Sequence, residues 1–119
     1  MQVTVKLLSN TAKLPEASGA STFTLFSDVN ALAYVGSRMT VSTGVYIKIP
    51  ENTAALILPD PSQLSLELLD SPKVLDSYSK GVISLTIRNK SANTLEIKKG
   101  TPLAQIVFVP YLPVKLTEE

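Results

Sequence analysis

One short turn in the sequence carries the residue types that could do chemistry. It runs from Asp76 to Gly81 and holds a carboxylate, the aromatic Tyr78 and a glycine. A carboxylate in such a turn could activate water as a general base, or it could simply cap its own backbone. An apolar segment precedes the turn, and residues 82–88 after it alternate between polar and apolar. That period predicts a half-buried strand, so a strand is expected to position the turn.

The composition excludes several other kinds of chemistry. The chain of 119 residues has no cysteine and no histidine, so it lacks thiolates, disulfides and imidazole bases. A metal ion would need oxygen ligands, and no carboxylates cluster at metal-binding spacing, so we predict no metal site. Eleven basic residues balance ten acidic ones without a charged block, which predicts neither nucleic acid nor a membrane as partner.

The pattern of apolar residues predicts an all-β fold. No window shows the spacing of an amphipathic helix, and turn signals recur roughly every eight to twelve residues, as in barrels and sandwiches. We expect Ala54–Leu58 to be a strand buried on both faces, and Gly100 to adopt a positive φ. The clearest period-2 segments are Val3–Leu8, Gly44–Ile49, Val82–Arg88 and Leu103–Val109.

The ends of the chain give further expectations. The first residues alternate like a strand and do not form a signal peptide, and no apolar run is long enough to span a bilayer. We therefore expect a soluble protein, cytoplasmic or virion-associated. The length predicts one domain over residues 1–119, in which residues 111–119 form an extended C-terminal tail.

Several segments together resemble the trimeric dUTPase family. Residues 73–81 are similar to its aspartate-turn-strand segment, and residues 100–110 to its glycine turn followed by an Ala-Gln strand. Residues 43–50 are similar to its Thr-Gly-Val hairpin. The resemblance runs from the first strand to about Pro110. It implies a jelly-roll β-barrel that assembles as a homotrimer, with active sites between subunits. It also implies that Asp76 stands where the family's aspartate activates water to cleave dUTP between the α and β phosphates.

The nucleoside side of the implied site departs from the family pattern. Asp70 stands at the place of the asparagine that reads uracil, and a carboxylate only accepts hydrogen bonds whereas an amide also donates. Ser79 stands at the place of the aromatic that stacks on the deoxyribose. Tyr78 is one residue early, which on a strand reverses its direction. Gln105 matches the family's glutamine, although a subunit contact also accounts for it.

The phosphate side departs further. Asp60 replaces an arginine of the implied phosphate loop and is expected to repel a triphosphate, and Pro61 removes a backbone donor. Thr24 stands in place of an aspartate of the first motif. The chain ends at Glu119 without the family's glycine-rich arm.

These departures favour a catalytically degenerate, dUTPase-like trimer that acts as a structural or interaction module. Such a module could be a viral coat, decoration or spike component, or a regulatory partner of another protein, and would need no cofactor. Asp76, Gln105, Tyr78 and Asp70 would then be vestigial. The alternative is an active dUTP pyrophosphatase that uses Asp76 as base and requires Mg²⁺. A nucleotide sensor and an unrelated β fold also remain open.

Overall fold

The computed structural model describes residues 1–119 and is built entirely from β-strands and connecting turns. The prediction of an all-β fold is confirmed. The twelve strands are β1 (Thr4–Leu7), β2 (Glu16–Ala17), β3 (Thr22–Phe26), β4 (Ala31–Ala33), β5 (Arg38–Ser42), β6 (Val45–Lys48), β7 (Thr53–Pro59), β8 (Leu66–Leu68), β9 (Lys73–Leu75), β10 (Ser84–Asn89), β11 (Leu95–Ile97) and β12 (Pro102–Pro110).

The strands form four antiparallel sheets around one core. The largest sheet has the order β2-β3-β12-β7-β9, and a second has the order β5-β10-β8. Two further pairs, β1-β6 and β11-β4, complete the barrel. The last strand, β12, lies between β3 and β7 in the large sheet. This sheet therefore pairs strands that are far apart in the sequence. The inner faces bury a cluster that includes Leu25, Ile57, Leu85 and Ile106.

The strand β7 corrects one sequence prediction. Ala55 and Ile57 are fully buried, whereas Ala54, Leu56 and Leu58 on the other face are only partly buried. Within one chain, burial on both faces is therefore wrong, because no element of the same chain covers the outer face. The outer face is nonetheless apolar. Together with the partners of β7 on β12, it forms what we call the outer apolar face: Ala54, Leu56, Leu58, Val107 and Val109.

Turns and ends place the remaining segments. Gly100 has φ 87°, so the positive φ predicted for the turn before β12 is confirmed. The last residues, 111–119, form no strand, and their apolar side chains Leu112, Val114 and Leu116 are exposed. The structure has no helix that is long and apolar enough to cross a membrane.

Candidate functional site

The Asp76 turn is held by three local hydrogen bonds. Ser79 N donates to the Asp76 carbonyl at 3.0 Å, and Asp76 N donates to Ser79 Oγ at 3.1 Å. Tyr78 N donates to Asp76 Oδ1 at 2.9 Å. The second carboxylate oxygen, Oδ2, accepts no hydrogen bond from the protein. Asp76 is therefore both a turn cap and a carboxylate with one oxygen available to water. Gly81, at φ 85°, lets the chain leave the turn toward β10.

A cavity of about 320 Å³ lies beside this turn. Its apolar wall includes Ile47 of β6, Leu75 of β9 and Ile83. Its polar wall consists of Ser79 and the two lysines Lys73 and Lys80, and no carboxylate lines it. The turn borders the cavity through Ser79, Lys80 and Gly81, whereas Asp76 itself does not line it. The volume is at the lower end of that of small-molecule pockets.

Two of the sequence candidates lie next to the cavity without lining it. Asp70 accepts a hydrogen bond from Thr86 N at 3.4 Å through Oδ1 and pairs with Lys73 Nζ at 3.6 Å through Oδ2. Tyr78 is 87% exposed at the tip of the turn. Ser79, at the position implied for the aromatic, does line the cavity. The segment predicted to carry the site therefore does line the cavity, but it does so through Lys73, Ser79 and Lys80 and not through Asp70 or Tyr78.

Gln105 is not brought to this cavity within one chain. The pairing register sets Gln105 beside Thr24 on β3 and Leu58 on β7, on the outward side of the large sheet. The cavity residues Lys73 and Leu75 pair with the buried Ile57 and Ala55, on the inward side. Side chains of directly paired residues share a face, so Gln105 lies on the face opposite to Lys73 and Leu75, and it does not line the cavity.

In the implied phosphate loop, the Asp60 side chain forms hydrogen bonds within the loop itself. Asp60 is only 8% exposed, and its Oδ1 accepts hydrogen bonds from Ser62 N at 3.0 Å and Ser62 Oγ at 2.9 Å. Gln63 Nε2 ties the loop to the Pro102 carbonyl at 2.8 Å. The Asp60 carboxylate is thus directed into its own turn, which weakens the argument that it repels a triphosphate.

Sequence reasoning missed the two lysines of the cavity. Lys73 begins a strand in which its neighbours along the chain are apolar, and it sits on the inward face. A lysine at an inward position of an apolar strand was the available signal, because lysine is rarely placed inward unless its charge has a partner. The signal of the Asp60 turn was equally local, since an aspartate two residues before a serine favours a side-chain-capped turn.

Comparison with known proteins identifies the frame that carries this site. The family model described as dUTPase matches residues 10–119. A deoxyuridine 5'-triphosphate nucleotidohydrolase of Hydrogenobaculum sp. is 38% identical, covering 99% of this chain and 86% of that protein. The same enzyme of Clostridium tetani is 32% identical, covering 96% of this chain and 82% of that protein. The solved dUTPase of phage phi11 of S. aureus has a TM-score of 0.89 at 21% identity, covering 100% of this chain and 96% of that one.

These relatives overturn the interpretation of the chain as a degenerate structural module. They carry the name of an enzyme and match over nearly the full chain despite the departures at Asp60, Asp70 and Ser79. The departures concern single positions, whereas the family match extends over residues 10–119. None of these matches supports a structural role as a viral coat, decoration or spike component. This chain belongs to the dUTPase family.

Proposed function

We propose that this protein hydrolyses dUTP to dUMP and pyrophosphate. The observation that carries the proposal is that Asp76, whose Oδ2 accepts no hydrogen bond from the protein, belongs to a turn that borders a cavity sized for a small molecule. The family membership and the enzyme names of the relatives support the choice of nucleotide. The cavity has an apolar wall for a base and two cationic side chains, which suits a ligand with a flat apolar body and anionic groups.

In the proposed reaction Asp76 is the general base. Its Oδ2 accepts a proton from a water molecule, whose oxygen attacks the α phosphorus of dUTP. The bond from that phosphorus to the bridging oxygen of the β phosphate breaks, and pyrophosphate leaves. The hydrogen bond from Tyr78 N to Oδ1 fixes the carboxylate, so that Oδ2 keeps one orientation. Lys80 lines the cavity without forming an ion pair, so its ammonium group is free to contact an anionic oxygen of the substrate.

Magnesium fits this chain as part of the substrate. A solved structure of a phage phi11 dUTPase mutant describes a structural Mg(II) ion in that protein. In this chain no three acidic, histidine or cysteine side chains lie together, and Glu16, which pairs with Thr24, is engaged by Lys13 at 3.3 Å. The residues present do not fit an ion held by the protein alone. We therefore assign no step to such an ion and treat Mg²⁺ chelated by the triphosphate as substrate.

We also propose that the protein assembles as a homotrimer. The outer apolar face is uncovered in one chain, and Val74 of β9 extends it, since Val74 pairs with Leu56 and is 60% exposed. Burying such a face requires another chain, and the exposed apolar tail of residues 111–119 offers a second contact. A trimer is expected to bring residues such as Gln105 to the cavity of a neighbouring subunit, which one chain does not do.

The enzymatic proposal is tested by product analysis. The protein is incubated with dUTP and Mg²⁺, and dUMP and pyrophosphate are quantified in parallel with the Asp76→Asn variant, purified in the same way. Equimolar products from the unmodified chain alone would support the proposal. The absence of turnover, or turnover that persists unchanged in Asp76→Asn and so points to a contaminating enzyme, would contradict it.

The assembly is tested by light scattering at micromolar concentration. The mass of a trimer is expected, and Val107→Asp should shift it toward the monomer because it places a charge on the outer apolar face. Thr40→Asp, on the exposed side of β5, is the matched control and should leave the mass unchanged. A monomer mass for the unmodified protein would contradict the assembly proposal.

A further inference from the structure

The cavity beside Asp76 offers hydrogen-bond donors from its charged side chains and no carboxylate acceptor. Lys73 and Lys80 are its only charged residues. An ammonium group has three donors and accepts nothing, so a ligand atom placed against it must be an acceptor. The cavity therefore favours carbonyl or anionic oxygens over amino groups on the part of a ligand that meets these side chains.

Lys73 differs from Lys80 in being fixed. Its Nζ donates to the Ser84 carbonyl at 3.2 Å and pairs with Asp70 Oδ2 at 3.6 Å. Asp70 is itself held by the backbone of β10, through the hydrogen bond from Thr86 N. The contact with Ser84 is a hydrogen bond and uses one N–H of Lys73, whereas the contact with Asp70 is an ion pair. Lys73 therefore has a donor beyond the one that Ser84 accepts, and its side chain lines the cavity.

The position of Lys73 in the sheet makes its orientation unusual. It pairs with Ile57, which is fully buried, so its side chain leaves the inward face of the large sheet. β9 is an edge strand. An inward-pointing charge on an edge strand can have a purely structural role, which is to prevent pairing with a strand of another chain. That structural role requires no ligand. A role in binding is therefore tested by the preference between two bases and not by the stability of the fold.

We propose that Lys73 is the residue by which this cavity selects a base that presents a carbonyl oxygen and rejects one that presents an amino group. Its free N–H donates a hydrogen bond to a carbonyl oxygen of uracil. Cytosine has an amino group at the same place, and two donors facing each other cannot form a hydrogen bond. Asp70 is a positioning residue, because it cannot donate and instead holds the lysine that does. The inference rests on the proposed function and assigns the selection of the base to the side chain of Lys73.

The experiment compares two nucleotides in several variants of the full-length protein. Calorimetry gives the dissociation constants of dUMP and dCMP, and pyrophosphate release gives kcat/KM for dUTP and dCTP. Lys73→Met keeps most of the side-chain volume and removes the donors. Lys73→Leu is prepared beside it, so that one non-donating variant is available if the other does not fold. Lys90→Met removes a charge from an exposed lysine whose side chain forms no hydrogen bond or ion pair, and serves as the matched control.

The unmodified protein is expected to prefer dUMP to dCMP, and a folded non-donating variant at position 73 should lose at least about tenfold of that preference. Lys90→Met should keep it in full. A preference that is unchanged without the Lys73 donors, at unchanged thermal stability, would overturn the inference and leave only the edge-strand role. Failure of the unmodified protein to bind dUMP or hydrolyse dUTP would instead contradict the proposed function, so the two failures are distinguishable.

Discussion

Asp76 and Asp60 each begin a turn in which the carboxylate accepts a hydrogen bond from the backbone amide two residues later. The local motif is the same, but the surroundings differ. Asp60 is nearly buried, and the Ser62 hydroxyl adds a second hydrogen bond to the same oxygen. Asp76 is only partly buried, and its turn borders a cavity through Ser79 and Lys80. The same capped turn is therefore enclosed at Asp60 and more open at Asp76, and the difference in burial suits only the second to chemistry.

The largest effect is expected from Asp76→Asn. The amide keeps an acceptor for Tyr78 N but is not a base, so kcat for dUTP should fall by about 100-fold or more. The melting temperature should change little because the turn remains capped. Steady-state pyrophosphate release and thermal denaturation measure the two quantities. A kcat within tenfold of the unmodified protein would show that the Asp76 turn is structural like the Asp60 turn.

Asp60→Ala should give the reverse result. It removes both hydrogen bonds to Ser62 and should lower the free energy of unfolding by about 1–2 kcal/mol. Differential scanning calorimetry at one fixed protein concentration should show a fall of several degrees in melting temperature. Asp60→Asn, which keeps the acceptor, is the matched control and should fall less. If Asp60→Ala lost more than tenfold in kcat at unchanged stability, the proposed division between the two turns would be wrong.

Ser79→Ala should produce a smaller, mixed effect. The Ser79 hydroxyl accepts a hydrogen bond from the Asp76 backbone N–H. Its removal should lower the free energy of unfolding by about 0.5–1 kcal/mol and make the turn less rigid. The kcat should fall only a few-fold, since the carboxylate itself is intact. Urea denaturation and initial rates on dUTP check both values. A loss as large as that of Asp76→Asn would mean that the hydroxyl takes part in the reaction directly.

The smallest effect is expected from Tyr78→Ala. Only the backbone amide of Tyr78 contacts Asp76, and the ring is almost fully exposed. The stability should change by less than about 0.5 kcal/mol, and the KM for dUTP should stay the same within error. Tyr78→Phe is the control for the hydroxyl alone. A clear rise in KM for the alanine variant would show that the ring contacts the nucleotide.

Some of the site was accessible from the sequence because it is local. The turn at Asp76 and the positive φ at Gly100 both follow from residue types within a few positions. The departures at Asp60 and Asp70 were also visible, but their meaning was not. Whether a carboxylate repels a ligand depends on where it points, and the hydrogen bonds from Ser62 and Thr86 that orient these two groups are set by the folded loop and by a neighbouring strand.

By itself the sequence determined that the fold is all-β, where most strands lie, and that no thiol or imidazole takes part, because side-chain period and composition are properties of the chain alone. The tertiary structure decided which side chains meet. It placed β9 against β7, so that Lys73 faces inward with Ile57, and it placed Gln105 on the opposite face of the sheet. Strand pairing joins residues that are distant in sequence, and a face is assigned only once the register is fixed.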